Sequence, residues 1–288
     1  MNFKTLVESH PEVTRDRHSL TFSRTARPSD IAGAFSRQGV VMLKDALPLP
    51  PLAAAGRAFS RCLQSSPAAR GNDAGSWHGP WQVRDGDGFP AATILAAVIR
   101  SWAWDVVEEI CQSSNLAVLL KFCTVRHSID KPLGIGGHQD AKVVDADLPL
   151  SIWIPLQDIL PGANSGLGFV VPHPREILPT LPHGDVGADY VLRDPANLWI
   201  PPYRVGDLTI HSRFSAHFTT GYGTLSDRYS LEIRAMPRRA APPAHLDPVA
   251  YVARRNGLPT IVEAASSAAI GAQAFLTALR MDPCWRSR

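Results

Sequence analysis

Apolar residues recur at intervals of three and four in several stretches of the first 113 residues, which is the spacing of an amphipathic helix. Residues 28–39 begin with Pro-Ser-Asp, a suitable helix start, and continue with this spacing. Residues 51–64 and 91–113 show it more strongly and contain few helix-breaking residues. The apolar residues 40–43 predict a strand. The first part of the chain is therefore expected to form helices beside at least one strand.

The pattern changes after residue 113. Residues 116–126 alternate weakly and predict another strand. Short apolar runs separated by turn residues dominate residues 138–236, which suits a closed or sandwiched antiparallel sheet. Residues 172–202 contain seven prolines and are expected to form a long insertion over the mouth of a barrel.

We expect one domain with two flanking segments. Residues 1–27 are polar and are predicted to be irregular, and residues 28–239 are predicted to form the β domain with its N-terminal helices. Residues 240–288 are predicted to be a helical C-terminal extension packed on the same domain. Its helices are expected at 248–256 and 260–279.

Composition narrows the class of protein. With 45% hydrophobic and 19% charged residues among 288, the chain is globular and not disordered. A net charge of +3 is too small to indicate nucleic-acid binding. The sequence shows neither a signal-peptide pattern nor an apolar run long enough for a membrane span. Four widely spaced cysteines predict reduced thiols. These features predict a cytoplasmic protein without nucleic-acid or membrane partners.

The tripeptide His138-Gln139-Asp140 and the later His217 carry the strongest chemical signal. Residues i and i+2 of an extended segment project to the same side, so His138 and Asp140 can reach one ion. The second histidine would then come from a separate strand. Two imidazoles and one carboxylate on one triangular face of a metal leave three positions open, as in non-haem Fe(II) oxygenases. The pattern therefore predicts an iron site.

Two further features surround the predicted ligands. Three glycines occur within residues 134–137, as expected where a loop passes close to a bound ligand. His211 lies in the same strand-like block as His217, and either histidine could approach the metal. The residue types alone do not choose between them.

The order of several short motifs resembles the phytanoyl-CoA dioxygenase family. The motifs are Gly-Gly-His-Gln-Asp at 136–140, Trp-Ile-Pro-Leu-Gln-Asp at 153–158, Ser-Gly-Leu-Gly-Phe-Val-Val-Pro-His at 165–173, Gly206-Asp207, His217 and Arg228. The segment 31–44 is also similar to the opening helix and first strand of that family. The resemblance covers roughly residues 28–236. The chain departs from the family's pattern at 171–174 and 218–223, positions near the mouth of the site that bear on the substrate.

The resemblance implies a fold and a set of metal ligands. The fold would be a double-stranded β-helix, a jelly-roll barrel of the cupin-like kind, mainly β with flanking helices. His138, Asp140 and His217 would hold Fe(II). The family's ligand lies eleven residues after the glycine of Gly-Asp and eleven before the arginine, and Gly206, His217 and Arg228 match both intervals. This spacing favours His217 over His211.

The resemblance also implies a co-substrate and a reaction. Arg228 would bind the distal carboxylate of 2-oxoglutarate, because a planar guanidinium donates two parallel hydrogen bonds and stays charged when buried. Trp153 would line the co-substrate pocket. Dioxygen would be the oxidant, and hydroxylation of an unactivated carbon is the expected outcome. Halogenating relatives replace the carboxylate ligand with a small residue, whereas this chain keeps Asp140.

Three classes of function remain open. The first is an Fe(II)- and 2-oxoglutarate-dependent dioxygenase acting on a small molecule such as a secondary metabolite. The second is a cupin-like metalloenzyme that does not use 2-oxoglutarate and has no need of Arg228. The third is a non-catalytic barrel that serves as a binding module. The loops that would select the substrate resemble no motif, and nothing in the sequence indicates an oligomeric state.

Overall fold

The computed structural model describes residues 3–15, 17–65, 76–80, 91–129, 135–142, 150–182, 185–224, 226–243, 246 and 249–265. Its helices are α1 (Phe3–Ser9), α2 (Pro28–Gln38), α3 (Leu49–Ser65), α4 (Ala91–Arg100), α5 (Trp102–Cys111) and α6 (Ala188–Val191). The helices predicted at 28–39 and 51–64 correspond to α2 and α3. Across the ranges described, no helix combines the length and the hydrophobicity that crossing a membrane requires.

The helix predicted at 91–113 is two helices, α4 and α5, in the structure. Ser101 between them has an extended backbone, with ψ of 159°. Its hydroxyl donates a hydrogen bond to the carbonyl of Val98 over 2.7 Å. A serine in this conformation ends one helix and precedes the first residue of the next, which the apolar spacing alone does not reveal.

The strands of the described residues are β1 (Thr21–Phe22), β2 (Val40–Leu43), β3 (Ser76–Pro80), β4 (Asn115–Val118), β5 (Thr124–Ile129), β6 (Ile135–His138), β7 (Leu150–Pro155), β8 (Leu167–Val170), β9 (Leu198–Trp199), β10 (Leu208–Ser212), β11 (His217–Thr219), β12 (Asp227–Pro237), β13 (Val249–Arg255) and β14 (Leu258–Ala265). β2 matches the strand predicted at 40–43. The strand predicted at 116–126 is divided into β4 and β5 by a turn of 3-10 helix at Leu120–Phe122.

These strands form two sheets. The major sheet has the order β1-β2-β10-β7-β12-β4-β13-β14, and it also contains β5, which pairs with β12 and β3. The minor sheet has the order β6-β11-β8-β9. The β1–β2 pair is parallel, and the site-bearing pairs β10–β7, β12–β7 and β11–β6 are antiparallel. The mainly β, jelly-roll fold with flanking helices is confirmed.

Side chains of the central strands alternate between the two faces of the major sheet. On β7, β10 and β12, one face carries aliphatic residues such as Ile152, Ile210 and Ile233, which belong to the largest hydrophobic core together with residues of the helices. The other face carries polar side chains such as His211 and Arg234, which are also buried. Because successive side chains of a strand point to opposite sides, the same strands serve the core and a polar interior.

The C-terminal prediction of helices at 248–256 and 260–279 is wrong where the structure describes it. Residues 249–255 and 258–265 form the antiparallel pair β13 and β14, and β13 also pairs with β4. The first four residues of β13 are a continuous buried apolar run. Such a run does not distinguish a buried helix from a buried strand, and here pairing with β4 decides. The predicted helical residues 266–279 lie outside the described residues.

The prediction of an irregular segment at 1–27 is also wrong, because α1, a turn of 3-10 helix and β1 lie within it. The N-terminal residues Leu6 and Val13 are completely buried against residues of the segment 185–200 and against Phe218. Phe218 alternates with His217 on β11 and therefore lies on the outer face of the minor sheet. Part of the predicted insertion, together with the N terminus, therefore packs on this outer face. For that part, the predicted position over the mouth of a barrel is wrong.

Candidate metal centre

His138 and His217 lie directly opposite each other in the minor sheet. His138 is the last residue of β6, His217 is the first of β11, and the two are paired in the antiparallel register. Their ring centroids are 4.3 Å apart. The predicted separate strand for the second histidine is therefore present, and strand pairing brings two imidazoles 79 positions apart into contact.

Asp140 completes the cluster from a turn. The strand ends at His138, and Asp140 begins a short 3-10 helix at Asp140–Lys142. The sequence argument placed both residues on one strand, whereas the structure reaches the same convergence through this turn. Ligand atoms of His138, Asp140 and His217 all lie within 4.8 Å of one another. Asp140 and His217 are 2% exposed, and His138 is partly buried.

Hydrogen bonds to the main chain leave one nitrogen of each histidine for a metal. The Nδ1 of His217 lies 3.0 Å from the carbonyl of Ser215, and the Nδ1 of His138 lies 3.4 Å from the carbonyl of Gly136. Since a carbonyl only accepts, Nδ1–H is the donor, and the lone pair of each ring is on Nε2. Burial, with the neighbouring His138, lowers the pKa of His217 to about 3. His217 is therefore neutral at physiological pH, as metal binding requires.

Asp140 is held as an anion by a buried cation. Burial alone would raise the pKa of its carboxyl group, but the charge of Arg234, helped by a hydrogen bond from His211, holds that pKa well below the ordinary value. Arg234 Nη1 lies 2.7 Å from Asp140 Oδ2, and Nη2 lies 3.0 Å from Oδ1. Ser151 donates to Oδ2 over 2.5 Å and accepts a hydrogen bond from Arg234.

His211, the competing third ligand, also lies in this interior. It is completely buried on β10, and its Nε2 is 3.4 Å from Asp140 Oδ2. Its ring centroid is 4.6 Å from that of His217. It is nevertheless not part of the group of three whose ligand atoms are mutually close. His217 is therefore the histidine grouped with His138 and Asp140, and His211 lies against the other oxygen of the carboxylate.

Arg228 is carried into the same interior by β12. It is 0% exposed, which contradicts the alternative of a surface ion pair with Asp227 or Glu232. Its guanidinium donates to the carbonyl of Gly166 over 3.0 Å and to the hydroxyls of Ser165 and Ser128 over 3.3 and 3.1 Å. A buried guanidinium with this many directed contacts is fixed in place.

Trp153 lies beside Arg228. It is 2% exposed on the inner face of β7, and the guanidinium carbon of Arg228 is 5.8 Å from the centre of its ring. Tyr203 packs edge-on against the same indole at 4.9 Å between centroids. Burial raises the pKa of Tyr203 well above its ordinary value, so its hydroxyl stays protonated. Trp153 therefore belongs to a small aromatic core and at the same time forms a wall next to Arg228.

The glycines before His138 also have a reason that the sequence did not indicate. Side chains of the insertion stand where their Cβ atoms would be: Asp185 at Gly136, and Val186 and Val191 at Gly137. Close packing of the insertion on β6 therefore favours positions without side chains. Gly134 lies outside the described residues.

Sequence reasoning missed two residues that hold the site together. Arg234 follows Arg228 by six positions on one strand, so the two-residue period places both on the same face and would have indicated it. Gln139 is the other. Its amide donates to the carbonyls of Glu176 and Phe214 and accepts from the amide of Leu178. Nothing local predicts these long-range partners.

The donor set fits a divalent iron ion. Two neutral imidazoles and one carboxylate converge from one side, which is the facial arrangement that leaves three coordination positions. The histidine Nδ1 atoms are already engaged by carbonyls, as is usual behind metal-binding histidines. The described part of the chain contains one such cluster of histidine, cysteine or acidic ligands.

No family model matches the chain, and no curated protein matches its sequence. Solved structures do match it. The non-heme α-ketoglutarate-dependent epimerase SnoN from nogalamycin biosynthesis aligns over 80% of this chain and 87% of its own, with a TM-score of 0.55 and 21% identity. The apo form of the non-heme monooxygenase ThoJ aligns over 86% and 92%, with a TM-score of 0.59 and 18% identity.

A third match is HygX from Streptomyces hygroscopicus, crystallised with nickel and 2-oxoglutarate bound. It aligns over 71% of this chain and 85% of its own, with a TM-score of 0.53 and 15% identity. The chain has the fold of these enzymes. Identities this low establish a common fold, so the chemistry of this chain depends on its own residues.

Proposed function

We propose that the chain is an Fe(II)- and 2-oxoglutarate-dependent dioxygenase of the phytanoyl-CoA dioxygenase family, which hydroxylates an unactivated carbon of a small molecule in the cytoplasm. The observation that carries the proposal is the convergence of His138, Asp140 and His217, with ligand atoms within 4.8 Å of one another, in the barrel that also buries Arg228. Iron bound by these three side chains would couple oxygen activation to decarboxylation of the keto acid.

Arg228 supports the use of 2-oxoglutarate. Its guanidinium contacts Gly166, which directly precedes β8, and on that strand Phe169 pairs with His217. Three residues of extended chain span roughly 10 Å, so a five-carbon diacid and its contacts can bridge the two places. The guanidinium would hold the distal carboxylate, with Trp153 as a wall of the pocket.

The reaction type rests on fewer residues. SnoN is named an epimerase, SnoK a carbocyclase and ThoJ a monooxygenase, so one fold serves several reactions. Hydroxylation is proposed here because it needs only the carboxylate triad and a bound substrate. A small natural product of secondary metabolism is the proposed substrate class, in keeping with the nogalamycin pathway that the SnoN and SnoK structures name.

The test is binding and turnover of the co-substrate by the purified full chain. We expect anaerobic, Fe(II)-loaded protein to bind 2-oxoglutarate in calorimetry, and aerated protein to form succinate slowly without a primary substrate. Asp140→Ala should abolish both, and Arg228→Met should retain Fe(II) and bind 2-oxoglutarate roughly 100-fold more weakly, since truncating one side of a buried charge pair costs about 2–5 kcal/mol. His10→Ala, a change at a half-exposed side chain outside the site, is the control.

Other outcomes would contradict the proposal, and each would do so in a different way. Fe(II) binding without 2-oxoglutarate binding would favour the cupin-like metalloenzyme. Absence of metal binding by the wild-type protein would favour the binding module. Turnover retained in Asp140→Ala without added halide would overturn the ligand assignment.

A further inference from the structure

Asp140 has four lone-pair sites on its two carboxylate oxygens, and the surrounding side chains contact the two oxygens unequally. Oδ2 accepts from Arg234 Nη1 at 2.7 Å and from the hydroxyl of Ser151 at 2.5 Å, and His211 Nε2 lies 3.4 Å from the same oxygen. Oδ1 accepts from Arg234 Nη2 at 3.0 Å. One site is left, on Oδ1, and this oxygen is the one that lies 3.9 Å from His217 Nε2.

The donors themselves are fixed. The hydroxyl of Ser151 accepts a hydrogen bond from Arg234, so its single proton is directed to Asp140. Arg234 is 5% exposed, and its Nη2 is also 3.5 Å from the carboxylate of Glu232, which in turn accepts from Thr124. The guanidinium therefore lies between two buried carboxylates and cannot turn away from Asp140 without leaving one of them unpaired.

From this arrangement we infer that Arg234, with Ser151, is a positioning residue that makes Asp140 a one-oxygen ligand. The inference rests on the proposed function and explains how three coordination positions stay open. A carboxylate that used both oxygens would occupy two coordination positions and leave only two open beside the histidines. Binding of the keto acid through two atoms needs two open positions, and a third is needed for dioxygen. Arg234 keeps that third position available.

A purely structural role for Arg234 is the alternative, since a buried guanidinium between two carboxylates also balances charge. The two roles differ in what a lysine does. Lysine keeps the positive charge but not the planar fork that holds both oxygens at once. Charge balance would survive Arg234→Lys, whereas the orientation of the carboxylate would not.

The experiment uses the full chain loaded with Co(II), whose absorption spectrum reports coordination number, and calorimetry with 2-oxoglutarate on the same samples. We expect Arg234→Lys to change the Co(II) spectrum and to weaken 2-oxoglutarate and Co(II) binding by about 10- to 100-fold, the range found when partners of metal ligands are altered. Ser151→Ala, which removes one donor to Oδ2, should give a smaller change in the same direction.

Arg254→Lys is the matched control. Arg254, on β13, also bridges two carboxylates, at 2.6 Å from Glu108 and 2.5 Å from Asp105. Both acids are on α5, away from the site. Arg254→Lys should leave the spectrum and the binding constants unchanged.

Wild-type values in folded Arg234→Lys would overturn the inference. If that variant does not fold, wild-type values in Ser151→Ala would overturn it. Wild-type protein that binds Co(II) but not 2-oxoglutarate would instead contradict the proposed function, and the spectra alone would then decide on Arg234.

Discussion

Two buried histidines, His211 and His217, lie close to Asp140, and their ring nitrogens have different contacts. His217 has Nδ1 bonded to the carbonyl of Ser215 and Nε2 directed to the cluster. His211 instead has its Nε2 3.4 Å from Asp140 Oδ2, the carboxylate oxygen that Arg234 and Ser151 also contact.

We expect His217→Ala to abolish Fe(II) binding and His211→Ala to retain it, because one imidazole completes the triad and the other does not. Metal titration of both purified variants, with circular dichroism to show that each is folded, checks this. The opposite result, in which only the His211 variant loses the metal, would show that the triad is closed by His211.

At the scale of elements, β12 shows how one strand serves two purposes. Its residues Leu231, Ile233 and Ala235 belong to the main core, and the alternate residues Arg228 and Arg234 are buried in the interior of the site. A shift of one residue in its register would exchange the two sets. Pairing with β7 on one side and with β5 and β4 on the other fixes that register.

The contact between β6 and the insertion gives a prediction about glycine. In Gly137→Ala, the new Cβ would lie 2.5 Å from a methyl group of Val191 and 3.1 Å from one of Val186, and valine side chains have few alternative rotamers. We expect this change to lower the free energy of unfolding by about 1–3 kcal/mol and to weaken Fe(II) binding at the adjacent His138. Chemical denaturation and metal titration measure the two effects.

Gly33→Ala in α2 is its control. The Cβ there would meet only Arg37 Nη1, at 3.5 Å, and alanine favours a helix over glycine by about 1 kcal/mol. Unchanged or increased stability is expected. Equal destabilisation by the two substitutions would show that crowding against the insertion is not the reason for Gly137.

At the scale of the whole molecule, the helices, the major sheet and the β13–β14 pair enclose one large core. Cys123 is completely buried in it, and Cys111 packs at its edge. Burial raises the pKa of both thiols to about 12. The thiolate is the reactive form, and its fraction is very small at pH 8, four units below that value.

We therefore expect Cys62→Ser/Cys111→Ser/Cys284→Ser protein, which retains Cys123, to resist thiol reagents at pH 8 until it unfolds. The rate of modification should follow the unfolding transition in denaturant. Rapid modification of Cys123 in the native protein would contradict the burial of this core.

Local pattern by itself determined α2, α3, β2 and the mainly β character of residues 138–236, because the spacing of apolar residues is set by the geometry of a single helix or strand. The residue types and their spacing also predicted a metal site at His138, Asp140 and a second histidine, and the resemblance to the phytanoyl-CoA dioxygenase family favoured His217 and added Arg228. Tertiary structure alone decided the rest. Pairing with β4 made strands of residues predicted as helix, and packing against the insertion accounts for Gly136 and Gly137. The approach of β12 to the turn after β6 placed Arg234 on Asp140. These outcomes depend on contacts between residues distant in the chain, and a pattern read over neighbouring residues does not contain them.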